Sequence, residues 1–104
     1  MKNHKGLAAT FEVEQDNRSR VNGVLHFSTV TALLRSGTQA ISDGHAAVID
    51  LSGVSDSDSS GLALLIEWLS IAKAEGHSLK YENVPAQLHQ LARLSEVEEL
   101  LTAV

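Results

Sequence analysis

The chain has 104 residues, of which 43% are hydrophobic and 20% are charged, a composition that predicts one globular domain over residues 1–104. Its formal net charge of -5 would repel a polyanion, and its eight Lys and Arg residues are scattered, so we expect no nucleic-acid partner. The absence of cysteine excludes disulfides, thiolate metal sites and cysteine nucleophiles, and it favours a cytoplasmic location.

No stretch of the sequence predicts a signal peptide or a membrane span. After Met1 to Lys5 the sequence alternates between polar and apolar residues, whereas a signal peptide needs an apolar core of about 7–15 residues. The longest apolar run, residues 61–66, is far shorter than the roughly 18 residues of a membrane span. We therefore expect no direct membrane insertion, and any membrane role has to come through a partner.

The first elements predict a β-hairpin. Apolar and polar positions roughly alternate from Leu7 to Val13, which is typical of a half-buried strand. A turn at residues 15–18 leads to a second, less regular strand over residues 21–27. Gly23 within this second strand indicates a bulge or a close approach of two backbones.

A helix is predicted to follow the hairpin and to end near Gly44. Ser28 or Thr29 is the candidate N-cap, because a hydroxyl there accepts a hydrogen bond from the first-turn amides. Gly37 in the middle of this helix is a weak point that costs about 1 kcal/mol relative to alanine.

A buried strand, a polar loop and an apolar helix occupy the centre of the sequence. Residues 46–51 are apolar or β-branched apart from Asp50, which is typical of a strand covered on both faces. Serine and aspartate dominate residues 52–60, and an apolar helix then extends to Glu75 and is ended by Gly76. This loop follows the carboxyl end of a strand, where functional groups collect in open parallel sheets.

The remaining residues predict a short strand over residues 78–82 and two helices. Pro85 suits the first turn of the first helix, and residues 97–101 form the second. The order β-β-α-β-α-β-α-α predicts a single-domain α/β fold in which a mixed sheet, with its later strands parallel, packs against about four helices.

The Ser/Asp-rich loop has two interpretations. Ser59 or Ser60 would be the helix N-cap, and the free amides of the first turn also make this position favourable for an anion such as a phosphate on Ser59. Because serine and aspartate are the most common N-caps, the same composition is also consistent with a purely structural loop.

A motif in this loop favours the functional interpretation. The segment Asp58-Ser59-Ser60-Gly61-Leu62, after a strand ending Ile49-Asp50-Leu51, closely resembles the signature of STAS domains, named for sulfate transporters and anti-sigma factor antagonists. The resemblance extends over about residues 46 to 101 and implies the fold of that family. In the anti-sigma factor antagonists the hydroxyl directly after the aspartate is phosphorylated by a partner kinase, and it maps onto Ser59. The resemblance implies that Asp56, Asp58, Ser60 and Gly61 flank this residue.

Within the family, residues 61–65 and 91–94 are most similar to the MlaB-type, the small STAS subunit of an ABC transporter that moves phospholipid between the two membranes of Gram-negative bacteria. This resemblance implies a regulatory subunit that binds the cytoplasmic ATPase subunit through Ser59 and maintains outer-membrane lipid asymmetry from the inner membrane surface. Ser60 matches the anti-sigma factor antagonists instead. The alternative is therefore an antagonist whose complex with a serine kinase breaks when Ser59 gains a phosphate.

Periodicity in the apolar helix suggests a docking surface. One face of this helix forms a complete core stripe, and Leu64, Trp68 and Ile71 fall outside it, beside Glu67. We expect Leu64, Glu67 and Trp68 to be exposed for a protein partner, since tryptophan is enriched at interface hot spots. The alternative is that a neighbouring helix covers them. The sequence leaves open a weak homodimer through the same apolar face.

We expect neither catalysis nor a metal or cofactor, and assign no catalytic residue. Asp56 and Asp58 are not held as a catalytic pair by a flexible loop, and the sequence has no serine hydrolase or phosphate-loop motif. The histidines share no metal-ligand spacing and are predicted to be solvated surface residues: His4, His26, His45, His77 and His89.

Overall fold

The computed structural model describes residues 8–102, which form eight elements in the predicted order. They are β1 (Ala9–Val13), β2 (Arg18–Leu25), α1 (Phe27–Ser42), β3 (Val48–Ser57), α2 (Ser59–Ala74), β4 (Lys80–Glu82), α3 (Ala86–Leu94) and α4 (Glu98–Thr102). Leu7, where the first strand was predicted to begin, and His4 lie outside the described residues.

The strands form one sheet in the order β1-β2-β3-β4, and the predicted mixed topology is confirmed. β1 pairs antiparallel with β2, whereas β2 with β3 and β3 with β4 are parallel. The two crossovers step across the sheet in the same direction, so equal handedness places α1 and α2 on the same face. Gly23 lies at a register shift with a φ of 99°, and the Val24 N–H donates to the Ala8 carbonyl over 3.0 Å, which confirms the predicted irregularity.

The two faces of the sheet differ in chemistry because side chains alternate along each strand. On β2, Val21 is fully buried in the core, whereas Arg18 and Arg20 are half-exposed on the other face. There Arg18 pairs with Glu82, and Arg20 lies 3.5 Å from the carboxylate of Asp50. The helices cover the apolar face, and ion pairs occupy the polar one.

β3 extends further than its apolar core indicates. Residues 52–57 were predicted to belong to a polar loop, but β3 continues to Ser57 because its backbone stays paired with β2 as far as Leu25 opposite Ser57. Backbone pairing is independent of side-chain polarity, and the polar residues Ser52, Ser55 and Asp56 are exposed. Asp56 therefore lies on a strand and not in a flexible loop.

The start of α1 also differs from the prediction. Phe27, assigned to the second strand, is the first residue of α1, and His26 is the N-cap. Neither Ser28 nor Thr29 is the cap. Thr29 instead completes a capping box, in which its hydroxyl accepts from the His26 N–H over 3.0 Å.

The predicted exposure of α2 is wrong for two of its residues. Trp68 is 0% exposed and Leu64 is 4% exposed. The reason is that α1 packs over the side of α2 that periodicity predicted to be exposed to solvent. A Cβ atom on Gly37 of α1 would collide with the Trp68 ring, so the absence of a side chain there lets the indole lie against the α1 backbone. The indole and the Phe11 ring form a T-shaped pair, with centroids 5.5 Å apart. The covering-helix alternative is the correct one, and only Glu67 of the predicted trio is exposed.

Candidate functional site

The candidate site lies at the carboxyl ends of β2 and β3. Because these strands are parallel and each leads directly into a helix, the N-termini of α1 and α2 lie side by side there. The free amides of both first turns make this edge electropositive.

Asp58 accepts hydrogen bonds from the first turns of both helices. Its Oδ1 accepts from the Ser60 N–H of α2 over 2.7 Å, and its Oδ2 accepts from the Phe27 N–H of α1 over 3.3 Å. Burial acts to raise the pKa of Asp58, but the hydrogen bonds from Ser60 and Phe27 outweigh it and the pKa is lowered. The N-cap of α2 is thus Asp58, and the prediction that Ser59 or Ser60 has this role is wrong.

Ser59 is the first residue of α2 and is exposed. Since Asp58 already satisfies the cap, the Ser59 hydroxyl has no hydrogen-bond partner within residues 8–102. Ser60 is half-buried beside it. The Ser59 hydroxyl is therefore available to another molecule at the positive end of a helix.

Asp56 is held in place by two residues that sequence reasoning did not select. The Gln87 side chain and His26 hydrogen-bond to it, and these interactions, Gln87 foremost, lower the pKa of Asp56. The His26 Nε2 lies 2.9 Å from Asp56 Oδ2, and the Gln87 Oε1 accepts from the Ser57 N–H over 3.0 Å. Gln87 connects α3 to the end of β3, a long-range contact with no local signal in the sequence.

Gly61 permits the close approach of α2 to the strand ends. A Cβ atom at this position would collide with the Ser57 hydroxyl and with Leu25 at the end of β2. A larger residue would displace the first turn of α2, so the glycine of the motif has a packing role in positioning Ser59.

The site continues into an exposed aromatic residue and a groove. Phe27 is 81% exposed at the first turn of α1, next to Asp58, and sequence reasoning missed it because the residue was assigned to a strand. Between α1 and α2 is an open groove of about 380 Å³ lined by Val30, Thr31, Leu34, Ser60, Ala63, Leu64 and Glu67. Leu64, which was predicted to be exposed, forms part of its floor.

Neither a metal centre nor a membrane segment is found in the described part of the chain. Within residues 8–102, no three His, Asp or Glu side chains come together as a potential ligand set. Among the helices in the same range, none has the length and apolar character of a membrane span.

A comparison with known protein families shows which family the chain belongs to. The family model described as "Mlab, STAS domain" matches residues 11–102. The chain belongs to the MlaB-type STAS domain family. A comparison with curated proteins finds no significant match.

Solved structures show the same STAS fold. The chain is similar to the anti-sigma factor antagonist SpoIIAA in its unphosphorylated form, with a TM-score of 0.67, 19% identity, and coverage of 88% of this chain and 83% of that one. It is also similar to the phosphorylated form of SpoIIAA, a Bacillus cell fate determinant, with a TM-score of 0.65, 19% identity, and coverage of 86% and 85%. A third similar structure, Mglu, has a TM-score of 0.58 and 23% identity. The match covers 74% of this chain but only 20% of the Mglu chain.

Membership of the STAS family has a general consequence for function. STAS domains are typically non-enzymatic regulatory domains that act through contacts with partner proteins. The arrangement around Ser59 is consistent with that mode of action, since it combines a free hydroxyl, an exposed aromatic ring and an apolar groove within one surface.

Proposed function

We propose that this STAS domain is a non-enzymatic, MlaB-like subunit that binds the cytoplasmic ATPase subunit of an ABC transporter in intermembrane phospholipid transport. The observation that carries the proposal is the free, exposed hydroxyl of Ser59, which directly follows Asp58, the residue that accepts a hydrogen bond from the Phe27 N–H. The family match supports the assignment to the MlaB-type. The domain would lie at the inner membrane through its partner, and Ser59 would be the central polar contact.

Two features of the surface support a protein partner over a small substrate. Phe27 is an exposed aromatic residue, a type that is enriched at protein interfaces. The carboxylates of Asp56 and Asp58 are hydrogen-bonded to His26 and to helix amides, and these bonds lower the pKa of both groups, which makes each a weaker base. These features favour the binding of a partner over chemistry on a substrate.

A second candidate function is that of an anti-sigma factor antagonist regulated by phosphorylation of Ser59. The exposed hydroxyl favours it, because a kinase needs an accessible acceptor. A phosphate there would add about two negative charges beside Asp56 and Asp58 and would break a complex by repulsion and desolvation.

Binding of the purified ATPase subunit by calorimetry tests the proposal. We expect Ser59→Asp and Ser59→Glu to fold normally, since an acidic residue is tolerated at a helix N-terminus, and to weaken binding at least about tenfold. Phe27→Ala should weaken binding by about 2 kcal/mol with little change in melting temperature. Ser70→Glu, on an exposed position later in α2, is the matched control.

The outcomes separate the two functions. Normal binding by Ser59→Ala, Ser59→Asp and Ser59→Glu would mean that Ser59 has no role at the interface. If the ATPase subunit does not bind at all, and a serine kinase from the same cell phosphorylates Ser59 as seen by mass spectrometry, the antagonist function replaces the transporter function.

A further inference from the structure

The groove between α1 and α2 has a floor and a rim of different chemistry. Val30, Leu34, Ala63 and Leu64 provide apolar surface, and Glu67 contributes the only charge among the residues that line it. Because the groove is open to solvent, it suits a side chain projected from a surface and not an enclosed small molecule.

The charge of Glu67 is not compensated within the described part of the chain. Glu67 is exposed and, like Glu12 and Glu96, its side chain forms neither an ion pair nor a hydrogen bond in residues 8–102. Of these three glutamates, Glu67 alone lines the groove. Arg35 follows Leu34 on α1, but it does not line the groove and does not pair with Glu67.

We propose that this groove receives an aliphatic side chain from a segment of a partner protein, and that a lysine or arginine one helical turn away on the segment pairs with Glu67. The inference rests on the proposed function, because Ser60 joins the groove to the Ser59 surface. The apolar floor accommodates the aliphatic group, and the unpaired carboxylate selects a cation over an anion.

The geometry also orients the segment. The end of the groove near Ser60 adjoins the N-termini of α1 and α2. These helix ends carry partial positive charge and disfavour a cation. Glu67 lies about two turns further along α2, away from that field. The cation of the partner therefore lies at the Glu67 end, and the remainder of the segment extends towards Ser59.

The probes are two alanine-rich helical peptides of about 15 residues that carry a leucine and, four positions later, either lysine or glutamate. Amide shifts of the full chain are followed by NMR during titration. We expect the lysine peptide to shift residues of the groove, and to bind about fivefold more tightly than the glutamate peptide. Glu67→Lys should reverse this preference.

Two further variants make the test specific. Glu12→Lys changes the same charge on an exposed residue of β1 and should leave the preference for the lysine peptide intact. Ala63→Phe, at an exposed position, should fill the groove and weaken binding of both peptides at least tenfold without unfolding the domain. Equal effects of Glu12→Lys and Glu67→Lys would indicate only long-range attraction and would overturn the proposal.

Other occupants give different results, each of which also overturns it. Concentration-dependent shifts of groove amides without peptide would identify a second copy of the chain. Shifts of the same amides on deletion of residues 1–7 would identify the chain's own N-terminal segment. The peptide titration and the calorimetry of the Ser59 variants are independent, because the peptides replace the partner. A negative peptide titration would not change the calorimetric result, and a negative calorimetric result would not change the outcome of the peptide titration.

Discussion

The first turn of α2 and its middle turns belong to one helix but have opposite roles. At the first turn, the Asp58 carboxylate accepts hydrogen bonds from the backbone amides of two helices, and the Ser59 hydroxyl stays free in solvent. In the middle, Leu64 and Trp68 are enclosed by α1. Apolar surface that looks available for docking is thus part of the core, whereas the available surface is polar at Ser59 and aromatic at Phe27, on a different helix. Four predictions test this contrast.

The largest effect is expected at Trp68. Trp68→Ala should lower the free energy of unfolding by about 3–5 kcal/mol, because it removes a fully buried indole between Gly37 and Phe11. Urea unfolding followed by circular dichroism measures the loss, and Leu94→Ala, at an 83% exposed side chain, should stay within about 0.5 kcal/mol of wild type.

Fluorescence of the isolated chain provides an independent check on Trp68. As the only tryptophan, it should already have blue-shifted emission without any partner, since it is 0% exposed. Emission like that of free tryptophan, together with unchanged stability of Trp68→Ala, would indicate that Trp68 is exposed and belongs to the docking surface.

The second prediction concerns Gly37, where two principles predict opposite signs. Helix propensity alone predicts that Gly37→Ala stabilises by about 1 kcal/mol. Because the new Cβ would collide with the indole of Trp68, we expect destabilisation by about 1–3 kcal/mol instead. Thermal unfolding gives the sign, with Ser36→Ala as the control. The cost should shrink when Trp68 is replaced by leucine in the same chain.

The third prediction returns to the first turn. Asp58→Ala should destabilise by about 1–2 kcal/mol, because it removes the cap of α2 and a bond to α1. Ser59→Ala should change stability by less than about 0.5 kcal/mol, since its hydroxyl caps nothing. Chemical denaturation compares the two variants. Equal losses would show that Ser59 shares the capping role.

The smallest effect is expected in the pH dependence. The folded-state pKa of Asp58 lies below the ordinary 3.8, so its contribution is present above that value and is lost as the pH falls through the lowered pKa. Stability of wild type should therefore fall on acidification below about pH 5, and Asp58→Asn should show a shallower fall in denaturation series. Trp68→Ala should keep the wild-type slope, because its loss does not involve a titrating group.

Much of the fold is predictable from local patterns. The order of elements, the hairpin, the parallel later strands and the irregularity at Gly23 follow from periodicity and from short connections, which are local properties. The motif at residues 58–61 likewise located the start of α2 and the family. Boundaries were less predictable. β3 continues to Ser57 through hydrogen bonds to a strand distant in sequence.

What the sequence determined by itself is the position of Ser59 at the carboxyl end of a buried strand, because strand, motif and helix are consecutive in the chain. Only the tertiary structure decided which side chains reach solvent around it. Periodicity describes one helix at a time, whereas the exposure of Trp68 depends on α1 and on a glycine 31 positions away. Likewise, Phe27 joins the site, and Gln87 supports it, because parallel pairing brings separate strand ends to one edge of the sheet.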